Sequence, residues 1–321
     1  MFNVKSAVHV GKHMGKNLIP GDVGIEVELE GDVMDIAVKG WATHREDSLR
    51  NGGAEFVTRG PVALEEVFKQ VFNLNDAITK SRARHNLKSH LGSTHIHVNM
   101  LGESFDTVLG TAILWTCIEP IVMRLCGPMR DGNLFCLPSY DTGTTQDYFD
   151  QLCKYLDTDG RAGRWTHGKY SALNFNRLLD FGTLEFRCFP TSIDPNEIKS
   201  WCTWVTNLRK LARGAKDKSF KDAVRHAEQN AHAFVASVLG PDVPNGRSLA
   251  PDTIDGLVDF GAAQAYELAR IVARYRNQPV KEEVKVFDVM AEPKKKAFHF
   301  AKAVAAQEAP AVPDRIRRRG A

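Results

Sequence analysis

The sequence lacks most of the signatures by which a chain of 321 residues announces its chemistry. None of its six cysteines stands in a C-x-x-C pair, so neither a cysteine zinc site nor a disulfide framework is expected. Cys117, Cys126, Cys136, Cys153, Cys188 and Cys202 lie mostly among apolar residues, as reduced thiols buried as small hydrophobes do. No G-x-x-x-x-G-K-[ST], H-E-x-x-H or G-x-S-x-G occurs, so the P-loop, zinc-hydrolase and serine-hydrolase readings lack their signatures. Residues 1–16 carry charges but no apolar stretch with a cleavage site, so no signal peptide is expected. The most apolar run, 108–118, is too short to span a bilayer and is closed by Glu119 and Pro120, which predicts a buried helix and no membrane partner. Charge of one sign is also scarce. A net charge of +3 does not call for nucleic acid.

What is present is ordinary globular material, 43% hydrophobic and 25% charged, enough for one large domain or two. Residues 1–20 form a leader rich in Gly, His and Lys. Gly24-Ile25-Glu26-Val27-Glu28-Leu29-Glu30 alternates strictly, the pattern of a strand with one wet face. Strands are also expected at 33–38, 54–58, 94–99, 173–175 and 182–188. Helices are expected after Pro61, with Leu64, Val67, Phe68 and Val71 inward, and at 105–126 with a kink or break at Pro120. Further helices are expected at 146–156, after Asp194, and over 219–238 and 262–276. Asp194, Pro195 and Glu197 predict a reciprocally capped helix that ends at Gly214. Residues 281–321 hold ten Lys or Arg against six Asp or Glu, read as a basic, loosely ordered tail with one alanine-rich helix at 297–308. The expected division is leader 1–20, catalytic domain 21–214, helical extension 215–278 packed on it, and tail 279–321.

The chemistry is carried by the wet faces of the strands. Glu26, Glu28 and Glu30 share one face, and like charges so placed repel unless a cation or a basic group intervenes. A divalent metal would remove that cost, and oxygen ligands suit Mg²⁺ or Mn²⁺. His95, His97 and Asn99 repeat the geometry with imidazoles. Thr183, Glu185 and Arg187 repeat it again, pairing a carboxylate with a guanidinium that matches phosphate oxygens. Glu55 is a fourth acidic strand position, and Asp47 precedes it in a polar loop. Each segment alone could equally be a solvated strand face. Together, on one concave sheet, they would surround a single pocket suited to phosphoryl transfer.

The order of these pieces resembles the amidoligase family, in the form found in phages and bacteria, within the glutamine synthetase and glutamate–cysteine ligase superfamily. The resemblance runs through Gly24–Glu28, Asp47-Ser48-Leu49, Gly53–Phe56, His95–Asn99, Arg130, Lys169–Asn174 and Thr183–Arg187, over roughly 22–212. It implies an α+β fold with a curved, mainly antiparallel sheet and helices on its convex side. It also implies a carboxylate–amine ligase that uses ATP and Mg²⁺ (or Mn²⁺) and passes through an acyl phosphate. Glu26, Glu28, Glu55, Glu185 and His97 would be the metal ligands, with His95 open as the alternative histidine. Arg187 would contact the transferring phosphate. Arg130 and Lys169 would hold phosphate or substrate carboxylate, Asn174 would orient one of them, and Asp47 would bind the amine or a metal-bound water. Asp47 and Glu55 are candidates for the base. Segments 40–53, 127–145 and 157–168 are the expected covering loops.

The implied partners are small-molecule or peptide carboxylates and amines, in the cytoplasm, or the host cytoplasm for a phage-encoded chain. A homo-oligomer is left open. Two other readings use the same residues. One is a metal-dependent phosphatase or nuclease, with the basic stretch 80–90 and the tail along a phosphodiester backbone. The other is a non-catalytic interaction protein whose site has degenerated.

Overall fold

The structure, a computed structural model, describes residues 9–130, 133–139, 143–157, 170–215, 219–240 and 249–276. The chain divides into two units, Met1–Pro279 and Val280–Ala321, and every described residue belongs to the first. Lys169, the segment 158–169 and the helix expected at 297–308 lie outside the described residues.

A single turn, α1 (Val10–His13), leads to β1 (Val23–Gly31). Strict alternation does on β1 what it should: Val23, Ile25, Val27 and Leu29 are wholly buried, while the glutamates between them face the other way. β2 (Trp41–Arg45), β3 (Ala54–Thr58), β4 (His85–Asn86), β5 (Ser93–Asn99), β6 (Leu173–Asn174) and β7 (Thr183–Pro190) complete one sheet. Its order is β2-β3-β1-β5-β7-β6, with β4 paired to the far end of β1, and every pairing is antiparallel.

The expected curvature is not there. The path runs from one edge strand, β2, to the other, β6, which do not pair with each other; the sheet is open, neither closed nor strongly curled. Its charged residues therefore meet through strand register, not by being wrapped in a concavity.

Helices flank the apolar face. After a 3-10 turn at Leu64–Glu66 come α2 (Val67–Ser81), α3 (Phe105–Cys126), α4 (Gly143–Asp157), α5 (Asn176–Phe181) and α6 (Pro195–Ala215). Trp115 of α3 meets Phe186 of β7 edge-on at 4.8 Å, and Trp201 of α6 stacks on Phe189 at 5.0 Å. Trp41 of β2 donates its indole N–H to the Gln70 carbonyl of α2 at 3.2 Å. Buried Arg209 of α6 donates to the Asn99 carbonyl (2.7 Å) and to Asp22 (2.5 Å), tying that helix to the start of β1 and the end of β5.

The remaining helices among the described residues are α7 (Phe220–Gln229), α8 (Ala231–Leu239) and α9 (Pro251–Tyr275), and α9 packs on α3, α4 and α7. α3 passes unbroken through Pro120 and is long and apolar enough to cross a membrane, yet it is almost wholly buried inside the protein. Pro120 has no N–H for the Thr116 carbonyl one turn back. That carbonyl faces Gly261 of α9, where an added Cβ would stand 2.6 Å from Thr116 O and 2.4 Å from Cys117 O.

Several local expectations need correction. Residues 33–38 are not a strand; the strand that follows β1 is β2, which pairs with the outer side of β3 and whose single tryptophan and short length give a weak alternation signal. α5 intervenes between β6 and β7. Phe68 sits on the exposed side of α2. Asp194 does cap α6, accepting from the Asn196 N–H at 2.8 Å, but Glu197 accepts from the Ser192 hydroxyl, which in turn accepts from the Asp194 N–H. The helix runs through Gly214 to Ala215, and α9 begins at Pro251, not near 262.

Candidate active site

Register assembles the site on the face opposite the helices. Glu28 pairs directly with Glu55 across β1 and β3, and Glu26 with His95 across β1 and β5. His97 lies between Gly24 of β1 and Glu185 of β7, and Glu185 in turn opposes Asn174 of β6. Five strands thus present Glu26, Glu28, Glu55, His95, His97, Glu185 and Asn174 side by side. Gly24 contributes no side chain beside His97.

A register shift in the β5–β7 pairing refines the arrangement. Thr94 pairs with Phe189 and Ile96 with Phe186, so Arg187 and Cys188 together oppose His95. Such bulges re-aim side chains and leave carbonyls without ladder partners. Both bulge carbonyls are taken by Arg130, whose Nη2 donates to Arg187 O at 2.6 Å and Nε to Cys188 O at 3.1 Å. Arg130 is buried in this role.

The polar contacts form one continuous system. Ser93 Oγ donates to Glu28 Oε2 at 2.5 Å, and His95 Nε2 lies 2.6 Å from the same hydroxyl. Since the hydroxyl proton goes to Glu28, the imidazole is the donor to Ser93. His95 Nδ1 is 2.6 Å from Glu26 Oε1, so this buried ring is clamped at both nitrogens. His97 is differently placed. Its Nδ1 is 3.3 Å from Thr183 Oγ1, and its Nε2 points among the carboxylates, 3.4 Å from Glu26 Oε2 and 3.9 Å from Glu185 Oε1.

Glu185 is fully buried. Its Oε2 accepts from Asn174 Nδ2 at 2.6 Å, and its Oε1 from Nη1 of Arg187. Glu30, the third acid of β1, is engaged elsewhere: it accepts from the Arg50 N–H (3.1 Å) and Asn86 Nδ2 (3.3 Å). Asn99 donates to the carbonyls of Ile19 and Gly21, anchoring the chain that enters β1.

Charge crowding leaves its mark on the acids. Burial alone would raise Glu26, but the charge and hydrogen bond of His95, with His97 beside it, bring that carboxyl well below its ordinary value. Burial also works to raise Glu185, and the charges of His97, Arg187 and His95 outweigh it, leaving the carboxyl lowered. The largest influences on Glu55 all act in one direction. Burial, a hydrogen bond shared with Glu26 and the charges of Glu26, Glu28 and Glu46 push it up to about 9. Burial opposes the charge on Arg187, yet Glu185 and Glu28 hold it on, raising that guanidinium above its ordinary value.

Two groups of ligand atoms are close enough to share an ion: Glu26, His97 and Glu185, and Glu26, Glu28 and His95, each within 4.8 Å of one another. Carboxylate oxygens with one imidazole suit a divalent cation. Glu55, which must keep its proton beside Glu26 and Glu28, is the acid that a cation would free to ionise.

Of the residues expected from the sequence, Glu26, Glu28, Glu55, His97, Glu185, Arg187 and Asn174 come together. Asp47 does not: it lies at the surface in an ion pair with Arg45 at 2.9 Å. The reason is parity. His44 opposes Glu55, so the alternation carries Glu46, not Asp47, on to that face, and Glu46 is the acid whose charge reaches Glu55. Arg130 lies behind the bulge, and Lys169 is outside the described residues. Ser93 and His95 share the parity of His97, so the alternation points to them. Arg177, 3.5 Å from Glu185 Oε2 through its Nε, has no such signal, because α5 itself is not evident in the sequence pattern.

A family model described as "Putative amidoligase enzyme" matches residues 42–209. The match takes in β2 through most of α6, and with them Glu55, both histidines, Glu185 and Arg187; Glu26 and Glu28 precede it. No curated protein matches the chain.

Proposed function

The chain belongs to the amidoligase family, and we propose that it joins a carboxylate to an amine with Mg²⁺-ATP as co-substrate on the polar face of this sheet. The observation that carries this reading is the strand register that gathers four glutamates and His97 on one face, with the Arg187 guanidinium donating to Glu185 among them.

In the proposed reaction a substrate carboxylate oxygen takes the terminal phosphoryl group of ATP, giving an acyl phosphate and ADP. The amine nitrogen then attacks the acyl carbon, gives up a proton and expels phosphate. Glu26, Glu28, Glu55, His97 and Glu185 would hold Mg²⁺ or Mn²⁺, which when bound supplies positive charge against the phosphate oxygens. Thr183 beside Nδ1 of His97 fixes that ring so that Nε2 faces the carboxylates, as ligating imidazoles are commonly held. Ser93 and His95 orient Glu28 and Glu26. Asn174 holds one oxygen of Glu185 and leaves the other toward the cluster. Arg187 stabilises the charge of the transferring phosphoryl group through its remaining N–H groups.

Of the two candidate bases for the amine, Glu55 is within the cluster and Asp47 is not, so Glu55 is assigned the role once ionised. Arg130 acts through Arg187 by bracing the bulge that aims it, and Lys169 is kept as a phosphate-binding residue. Small-molecule or peptide substrates fit this chemistry. Six free, buried thiols and dependence on ATP favour a cytoplasmic setting.

The test is a phosphate-release screen of the purified protein with Mg²⁺-ATP against a matrix of carboxylates and amines, followed by mass spectrometry. Release that needs both substrates, with a product lighter by one water than their sum, supports the ligase. Phosphate freed from ATP or from a phosphodiester without either substrate would favour the phosphatase or nuclease alternative instead.

A further inference from the structure

Glu185 stands between two arginines. Nη1 of Arg187 donates to its Oε1, while Nε of Arg177 lies 3.5 Å from its Oε2, beside the Asn174 hydrogen bond to that oxygen. Arg177 comes from α5, the short helix that delivers the chain into β7. Its guanidinium is braced: the central carbon sits 5.6 Å from the centre of the Phe181 ring, and Nη1 lies 3.6 Å from Asp180 Oδ2. About a third of the Arg177 side chain reaches solvent, whereas that of Arg187 is nine-tenths buried.

Neither arginine has all of its N–H groups satisfied. The Nε atoms of both are shut off from solvent; among the described residues that of Arg187 has no hydrogen-bond partner, and that of Arg177 has only its long 3.5 Å ion-pair contact with Glu185. A buried donor on a charged group is costly to leave unpaired, and such groups call for a missing acceptor. Cationic donors select an anionic acceptor, and two guanidinium forks match the several oxygens of a phosphoryl group better than the two of a carboxylate. The glutamates alongside would repel a bare anion, so the acceptor must arrive with its own cation.

We propose that Arg177 is a second phosphate-binding residue, which together with Arg187 seats the cation-bound terminal phosphoryl group on either side of Glu185. The proposal rests on the ligase reading given above and adds to it a residue on a different element.

Titration calorimetry with Mg²⁺ and tripolyphosphate on the full chain tests this, comparing the native protein with Arg177→Met and Arg177→Lys. Mn²⁺ affinity without polyphosphate is measured in parallel by electron paramagnetic resonance. The expected result is a ~10–100-fold loss of tripolyphosphate affinity in Arg177→Met, the size of a lost charged hydrogen bond. Arg177→Lys recovers part of it, because an ammonium keeps the charge and loses the fork. Mn²⁺ affinity stays at the native value in both variants. Native tripolyphosphate affinity in Arg177→Met overturns the inference and leaves the ligase reading standing. A matching fall in Mn²⁺ affinity also overturns it, since Arg177 would then only orient Glu185. If the native protein takes up no tripolyphosphate with Mg²⁺, the ligase reading fails and the inference fails with it.

Discussion

Glu28 and Glu55 face each other as direct partners on adjacent antiparallel strands, an arrangement that costs stability unless a proton or a cation intervenes. In the metal-free protein the proton does this work. It resides on Glu55, which shares a hydrogen bond with Glu26.

The first prediction concerns that proton. In the unfolded chain Glu55 ionises near its ordinary 4.5, in the folded chain near 9. The stabilisation is full below the lower value, declines as pH rises between the two and is gone above the upper one. Glu55→Gln carries a permanent neutral mimic of the protonated form and does not decline. Thermal unfolding in a chelator near pH 8 is therefore expected to show Glu55→Gln melting a few degrees higher than the native protein, the scale of ~1–2 kcal/mol. The gap should close as pH is lowered toward 4.5. A variant that melts lower than the native protein at pH 8 refutes this protonation scheme.

Metal occupancy should reverse the order. A cation needs Glu55 ionised, so its binding is expected to release a proton and to tighten as pH rises toward about 9. Calorimetry with Mn²⁺ in buffers of different ionisation enthalpy reads the proton directly. Affinity that is flat with pH would mean that Glu55 takes no part.

The two histidines should separate. Both nitrogens of His95 are taken, by Glu26 and Ser93, whereas Nε2 of His97 points among the carboxylates. His97→Ala is expected to lower Mn²⁺ affinity by at least ~10-fold, and His95→Gln by less, since it disturbs only the orientation of Glu26. The reverse ranking would move the ligand role to His95.

A fourth prediction lies away from the site. Gly261→Ala places a methyl group against the carbonyls of Thr116 and Cys117, beside Pro120 in α3. Backbone oxygens cannot move aside as a flexible side chain would. A loss of ~1–3 kcal/mol is expected in denaturant unfolding, with the site's Mn²⁺ affinity unaffected. Unchanged stability would show that α3 and α9 can part at no cost.

Alternation makes β1, β3, β5 and β7 legible in the sequence, because each carries apolar and charged residues in turn and a period of two has one structural meaning. The same period puts Glu26, Glu28, Glu55, His97, Glu185 and Arg187 on wet faces. It does not give the pairing between strands separated by whole helices, and so does not tell a curved sheet from the open one found. Parity counted to the end of β2 prefers Glu46 to Asp47, but β2 reads as a loop because only Trp41 among its residues is strongly apolar. Arg130 reads as a cation for substrate, and in the structure its Nε and Nη2 donate to two bulge carbonyls, a need that exists only once Thr94 and Ile96 have paired with Phe189 and Phe186. Arg177 is hidden in a helix of six residues, too short to show a period.

The central claim is that a carboxylate is activated by phosphoryl transfer on this acidic face. It is tested most directly by following oxygen. With a substrate found by the screen and labelled with ¹⁸O at both carboxylate oxygens, the account predicts one labelled oxygen in the released phosphate and one retained in the amide. Phosphate released with no label from the carboxylate, alongside amide product, would contradict it.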